Sequence, residues 1–415
     1  MITKPELLSI ATEAKLQPTT VEKDYVLSWL LYGIAKHAQL SQWIFKGGTC
    51  LKKCYFETYR FSEDLDFTVP KGAIYETEEI KKAIGEVADS IYEQTGINAR
   101  SREIEVEESF NKKNAKTFVA KITYLGPLNL PSKSLQRIKF DITDDEVIAE
   151  ASDMRNVFHP YSDAPAEPAK VRCYSVNEIL AEKTRAIYER QGRARDVFDV
   201  VNISRNFRED VNIQRATEAL KKKFAFKTLP DPSVDLVFSH IDVAQLKANW
   251  DSQLRHQLLV LPPVESFYGD LRPALSWWID DEPTEKELAT ISRVRGESLV
   301  PRRHFPEASA QFGRRVGIGG QANEVSLGQP WAGRLDQIRY AARNRLLVEI
   351  VYHGVTRVIE PYSLRRLGTG NLLLYGFEIM RGPSDSNQIK AYKVGEIVEV
   401  KITDEAFAPR FVIEL

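Results

Sequence analysis

Cysteine is scarce in this chain. Three residues, Cys50, Cys54 and Cys173, serve 415 positions, so no disulfide framework holds the protein together. No C-x-x-C pair occurs, which removes the commonest zinc spacing, and the six histidines are scattered with no H-E-x-x-H among them. Long apolar runs are missing as well. None approaches the length of a membrane span, and the opening MITKPELLSIATEAK lacks the apolar stretch of a signal peptide. Charge of one sign is not in excess: 57 Lys plus Arg meet 58 Asp plus Glu, a formal charge of −1. A basic coat for nucleic acid is thereby excluded, and only local patches remain for that purpose. The expectation is a cytoplasmic protein in a reducing compartment, with no membrane partner.

What is present is globular material: 43% apolar, 28% charged and 10% aromatic residues. That composition rules out disorder or a fibrous repeat as the main state. At roughly 150 residues per domain, the length predicts two or three domains.

The pattern divides accordingly. Residues 19–38 read as an amphipathic helix, 49–57 as a short helix, and 75–95 as a longer one. DLDFTVP (64–70), TFVAKITYLG (117–126) and RIKFDIT (137–143) alternate as half-buried strands do. From 176 to about 282 the periodicity turns helical, so the fold class is α+β. Residues 1–170 are expected to form the catalytic core and 171–282 a helical portion that completes the site. An Arg- and Gly-rich stretch, 283–331, reads as a linker or arm, with six Arg between Arg293 and Arg315. A helix and several short alternating segments make 332–415 a small β-rich domain.

Chemistry concentrates in FKGGTCLKKCYFETYRFSEDLDFTV (45–69). Asp64 and Asp66 stand two apart on a predicted strand, so both carboxylates leave the same face. Such a pair is costly unless something cationic joins it, and oxygen ligands of this kind suit Mg²⁺ or Mn²⁺. Gly47, Gly48 and Thr49 fall between a strand and a helix, where free N–H groups and close backbone approach favour a phosphate. Asp141, on another alternating strand, is the candidate third carboxylate of a two-metal site. Cys50 and Cys54, four apart, read as a buried helix stripe rather than redox or metal ligands.

This pattern resembles the polymerase-β-like nucleotidyltransferase superfamily, and more closely the AbiEii/AbiGii toxin family. VEKDY (21–25), FKGGT with RFSEDLDF (45–67), KFD (139–141), EILAEKTRA (178–186) and RARDVFD (193–199) follow the family's order. The 14 residues between Thr49 and Asp64 exceed the usual gap, which alters only the intervening helix and loop. The resemblance implies that Asp64, Asp66 and Asp141 bind Mg²⁺ or Mn²⁺ and are catalytic with Lys183 and Asp196. It implies nucleotide contacts from Lys46, Gly47, Gly48, Thr49, Ser62, Lys183 and Arg193. Asp196 would either accept a proton from the attacking hydroxyl or orient Lys183 or Arg193. The implied activity is transfer of a nucleotide from an NTP to an RNA such as a tRNA 3′ end, within a toxin–antitoxin or phage-defence system. A sensing protein without turnover, and a small-molecule nucleotidyltransferase, are the other classes considered.

Residues 332–415 resemble a WYL domain by segment order, although the Trp-Tyr-Leu triplet itself is absent. The resemblance implies a small Sm- or SH3-like barrel that senses a ligand or nucleic acid. With 12 Lys plus Arg against 10 Asp plus Glu the region is mildly basic. The candidate nucleic-acid contacts are Arg302, Arg303, Arg314, Arg315, Arg365 and Arg366, then Arg381 and Lys390; an interaction or dimerisation module is the other reading.

Overall fold

The computed structural model describes residues 1–14, 16–56, 59–110, 114–280, 333–366 and 372–415, together with the backbone of 314–315. The chain forms two units: Met1–Asp199 with Glu209–Leu259, and Val200–Arg208 with Val260–Leu415. The fold is mixed α+β, with a mixed sheet and helices in the first unit and an antiparallel sheet in the second.

The first unit is built on seven strands in the order β3-β4-β5-β2-β1-β7-β6. These are β1 (Ile44–Lys46), β2 (Asp64–Thr68), β3 (Glu105–Phe110), β4 (Lys116–Thr123), β5 (Arg137–Thr143), β6 (Asp153–Asn156) and β7 (Lys170–Cys173). β2 and β5 alternate buried and half-buried residues, as the sequence pattern requires: Leu65, Phe67, Ile138, Phe140 and Ile142 face the core. β2 runs parallel to β5 and antiparallel to β1, which makes it central in the sheet.

Helices α1 (Lys4–Glu13), α2 (Pro18–Lys36) and α4 (Thr77–Thr95) accompany this sheet. The sequence predicts an amphipathic α2; the structure instead buries it nearly all round from Val21 to Ile34. Its polar residues are paired, which makes that burial tolerable. Glu22 accepts the Leu128 N–H at 2.7 Å, Lys23 meets Glu63 at 3.2 Å, and Tyr25 donates to Asp163 at 2.6 Å. Asp24 takes the Lys53 ammonium at 2.6 Å and the Tyr161 hydroxyl at 2.7 Å. VEKDY is thus a set of bolts that seats α2.

Gly47–Cys50 form a short helix, α3, that runs on as a π-helical turn, Leu51–Tyr55, closed by the Phe56 N–H to the Leu51 carbonyl at 2.7 Å. After β7, Ser175 caps α5 (Val176–Glu189) by accepting the Glu178 N–H at 3.1 Å. Then follow α6 (Ala194–Asn206), α7 (Ile213–Phe226), α8 (Val234–Ser239) and α9 (Val243–Leu254).

The second unit holds α10 (Val264–Ile279), α11 (Arg334–Asn344) and a sheet ordered β12-β11-β10-β9-β13. Its strands are β9 (Leu346–Tyr352), β10 (Val355–Arg366), β11 (Leu372–Arg381), β12 (Ser384–Lys393) and β13 (Ile397–Ala406), with β8 (Arg314–Arg315) paired to the end of β10. Leu347, Tyr362, Leu373, Tyr375 and Phe407 form an apolar cluster there. Arg357 and Glu378 meet at 2.6 Å inside this unit, joined by the Tyr392 hydroxyl at 2.7 Å. Arg302 and Arg303 lie outside the described residues.

Candidate active site

Strand register assembles the site. On the parallel pair β2–β5, Asp64 stands opposite Lys139 and Asp66 opposite Asp141; on β1–β2, Lys46 stands opposite Asp66. One sheet face therefore carries Lys46, Asp66 and Asp141 in a row, with Asp64 and Lys139 one step along. That face forms a wall of a cleft of about 820 Å³, which α5, the start of α6 and the loop after β5 also line.

The carboxylates are not equivalent. Burial, reinforced by the neighbouring charge of Asp141, raises Asp66 to about 6 despite the ammonium of Lys46. Asp64 is raised too, chiefly by burial, with Lys23 pulling the other way. Neither accepts a hydrogen bond or ion pair from any described residue. Asp141, by contrast, holds Lys139 at 2.7 Å.

Behind these groups lies a buried hub on Asp199. It accepts two parallel hydrogen bonds from Arg60, each 2.8 Å, and one from the Tyr59 hydroxyl at 2.9 Å. Lys183 bridges Asp199 at 2.7 Å and Asp196 at 2.9 Å. Burial works against the charge of Lys183, but these two carboxylates outweigh it and raise its pKa. Arg60 also donates to Gln257 at 2.8 Å. On the other flank Lys46 meets Glu182 at 3.3 Å, and Glu146 meets Arg185 at 3.1 Å.

The two glycines are sterically required. Gly47 has φ +80°, and a Cβ there would lie 2.5 Å from Asp66 Oδ2; a Cβ on Gly48 would lie 2.4 Å from an Arg60 guanidinium nitrogen. The Thr49 hydroxyl is tied to Ser62 at 2.8 Å and to the Asp64 carbonyl, so it fixes the start of β2. Arg193 is exposed at the cleft rim, and Asp196 is buried beneath it. The cleft thus collects the sequence-identified Lys46, Gly47, Gly48, Ser62, Asp64, Asp66, Asp141, Lys183, Arg193 and Asp196. Sequence reasoning missed Arg60, Lys139 and Glu182 and gave Asp199 no role. Lys139 had a geometric signal, two residues from Asp141 on an alternating strand; Arg60, Glu182 and Asp199 lay within quoted motifs but without a spacing that gave them a part.

The C-terminal candidates belong to the second unit. Arg365 is engaged by Glu414 at 2.7 Å, and Arg366 and Arg381 are exposed on β10 and β11. Lys390 is half-buried on β12, and only the backbone of Arg314 and Arg315 is described.

Hard oxygen donors without protein partners fit a divalent cation, and the raised pKa of Asp66 is the cost such an ion would relieve. Among the described residues no three carboxylates present oxygens within 4.8 Å of one another. Lys139, paired to Asp141, supplies part of the positive charge the acidic face calls for.

Carboxylates in register on adjacent strands thus face a cleft walled by lysine and arginine. Comparison with protein families gives the class. Residues 29–281, more than half of the chain, match the family described as nucleotidyl transferase AbiEii toxin, type IV toxin–antitoxin system, and the chain belongs to that family. Among solved structures, MenT4, a nucleotidyltransferase toxin of Mycobacterium tuberculosis H37Rv, aligns with a TM-score of 0.42 and 17% identity, over 69% of this chain and 93% of that one. No curated protein matches. Among the described residues, no helix is long and apolar enough to cross a membrane.

Proposed function

We propose that the protein is a Mg²⁺- or Mn²⁺-dependent toxin that transfers a nucleotide from an NTP to the 3′ end of an RNA such as tRNA, restrained by a cognate antitoxin. The observation that carries this reading is the register of Asp66 with Asp141 on the cleft face, beside an equally unpartnered Asp64. Asp64, Asp66 and Asp141 would hold the metal, which when bound polarises phosphate oxygens and neutralises charge building up on them. Lys183 offers a fixed positive charge to a triphosphate, because Asp196 and Asp199 keep it protonated and in place. Lys46, next to Asp66, offers a second. Arg193 at the rim suits an acceptor's backbone phosphates.

The test is incubation of the full chain with Mg²⁺, each α-labelled NTP and total tRNA. Label should enter RNA with one preferred nucleotide. Asp64→Asn and Asp66→Asn should abolish transfer with Tm unchanged or slightly raised, since each removes a ligand but also a like-charge repulsion. Wild-type turnover by a folded Asp64→Asn/Asp66→Asn chain would overturn the metal assignment. Label passing only to small hydroxyl compounds would overturn the RNA acceptor.

A further inference from the structure

All three cysteines of the chain meet at one point. Cys50 ends α3, Cys54 lies in the π-helical turn and Cys173 ends β7, yet their sulfurs lie within 4.8 Å of one another. All are buried, at 0%, 4% and 0% exposure. The sequence reading saw only a helix stripe in Cys50 and Cys54; β7, paired to β1 with Cys173 opposite Phe45, brings in the third thiol. Three thiols in one dry contact are a set of soft donors.

We propose that Cys50, Cys54 and Cys173 bind a single thiophilic d¹⁰ cation, zinc(II) or copper(I), through three thiolates. Loading would release one proton from each thiol that enters coordination, with no change of oxidation state. Two nearby cations suit the negative charge such a complex keeps. Lys53, paired with the buried Asp24 at 2.6 Å, and Arg155, over the Tyr55 ring at 4.5 Å, both act on Cys54 by charge. Burial holds the Cys50 and Cys173 thiols well above their ordinary range. Cys54 is shifted down against its own burial, because it accepts hydrogen bonds from both and faces the charges of Lys53 and Arg155. The ion would have to displace the protons of the other two. No histidine, aspartate or glutamate among the described residues joins the cluster as a fourth ligand. That leaves a three-sulfur site, natural for copper(I), to which zinc(II) would add one small ligand. The site is separate in chemistry from the carboxylates, which are hard and prefer magnesium. It would clamp the turn that follows Gly47–Thr49 to the strand that leads into α5, which carries Lys183.

The test uses full-length protein, stripped with reductant and chelator and kept anaerobic in millimolar Mg²⁺ to occupy the oxygen site. Zinc(II) and copper(I) are titrated in separate arms against a chromophoric competitor. We expect one tight equivalent per chain for at least one ion, a near-ultraviolet thiolate-to-metal band in the copper arm, and a Tm raised by several degrees. The arm with the tighter equivalent identifies the ion. Cys173→Ser and Cys50→Ala should lose that equivalent; if either fails to fold, protection of the wild-type thiols from alkylation on loading gives the same answer. The proposal is overturned if wild type takes up no more of either ion than Cys50→Ala/Cys173→Ala, or if its thiols alkylate equally with and without metal. Recovery of the chain two hydrogens lighter, as a disulfide that takes up neither ion, would overturn it too.

Discussion

Asp199 and Asp196 stand one helical turn apart on α6, both buried, and both hold Lys183, yet they have different duties. Asp199 also takes the forked guanidinium of Arg60, whose own burial would be prohibitive without it. Asp199→Ala should therefore cost on the order of 3–5 kcal/mol of stability, readable as a lowered denaturant midpoint. The second cation of Asp196 is weaker: Arg190, more than half exposed, forms an ion pair with it at 3.5 Å. The sequence left Asp196 as either a proton acceptor or an orienting group, and the 2.9 Å contact favours orientation. Asp196→Asn should then raise KM for NTP together with any fall in kcat, as Lys183→Ala does more strongly. A fall in kcat at unchanged KM would instead mark it as the proton acceptor.

At the scale of elements, the legible part was the part with periodicity. RIKFDIT alternates without interruption and forms β5 at its predicted bounds, and DLDFT makes β2, so the pairing of Asp66 with Asp141 follows from two readable strands. β7 escaped because four residues, KVRC, offer too little alternation to stand out. Arg60 escaped because it sits in a loop, where no period announces a partner 139 residues away. VEKDY was legible as a motif but not as a structural one, since only tertiary packing reveals that its charges are paired inside the protein. The glycine pair was legible for a partly different reason. Gly47 and Gly48 leave room for Asp66 and Arg60 themselves, whatever else approaches them. Gly47→Ala should lose transfer and cost about 1–2 kcal/mol for the left-handed backbone, plus the displacement of Asp66. Gly72→Ala is the control: its φ is +88° but nothing lies within 4 Å, so it should pay only the backbone cost and keep activity.

For the whole molecule, near-neutrality constrains how an acidic polymer can be held. At a net charge of −1 the chain as a whole offers little long-range attraction to the proposed RNA acceptor, which would be held by local cations, those at the cleft rim and the Arg-rich stretch 293–315 among them. Binding of an RNA acceptor should accordingly weaken with salt through a shallow slope, about one power of salt for each phosphate neutralised, and Arg193→Glu should reduce that slope by about one. A filter-binding series across salt measures both. The hydrogen bond between Arg60 and Gln257 carries a further meaning, in time. These partners are 197 residues apart, so this hydrogen bond cannot form until the ribosome has moved that far past Arg60. At roughly 5–20 residues per second, synthesis alone takes about 10–40 s over this span. The buried Arg60 side chain therefore waits for that interval with its full set of partners incomplete, an order of assembly written into the order of the residues.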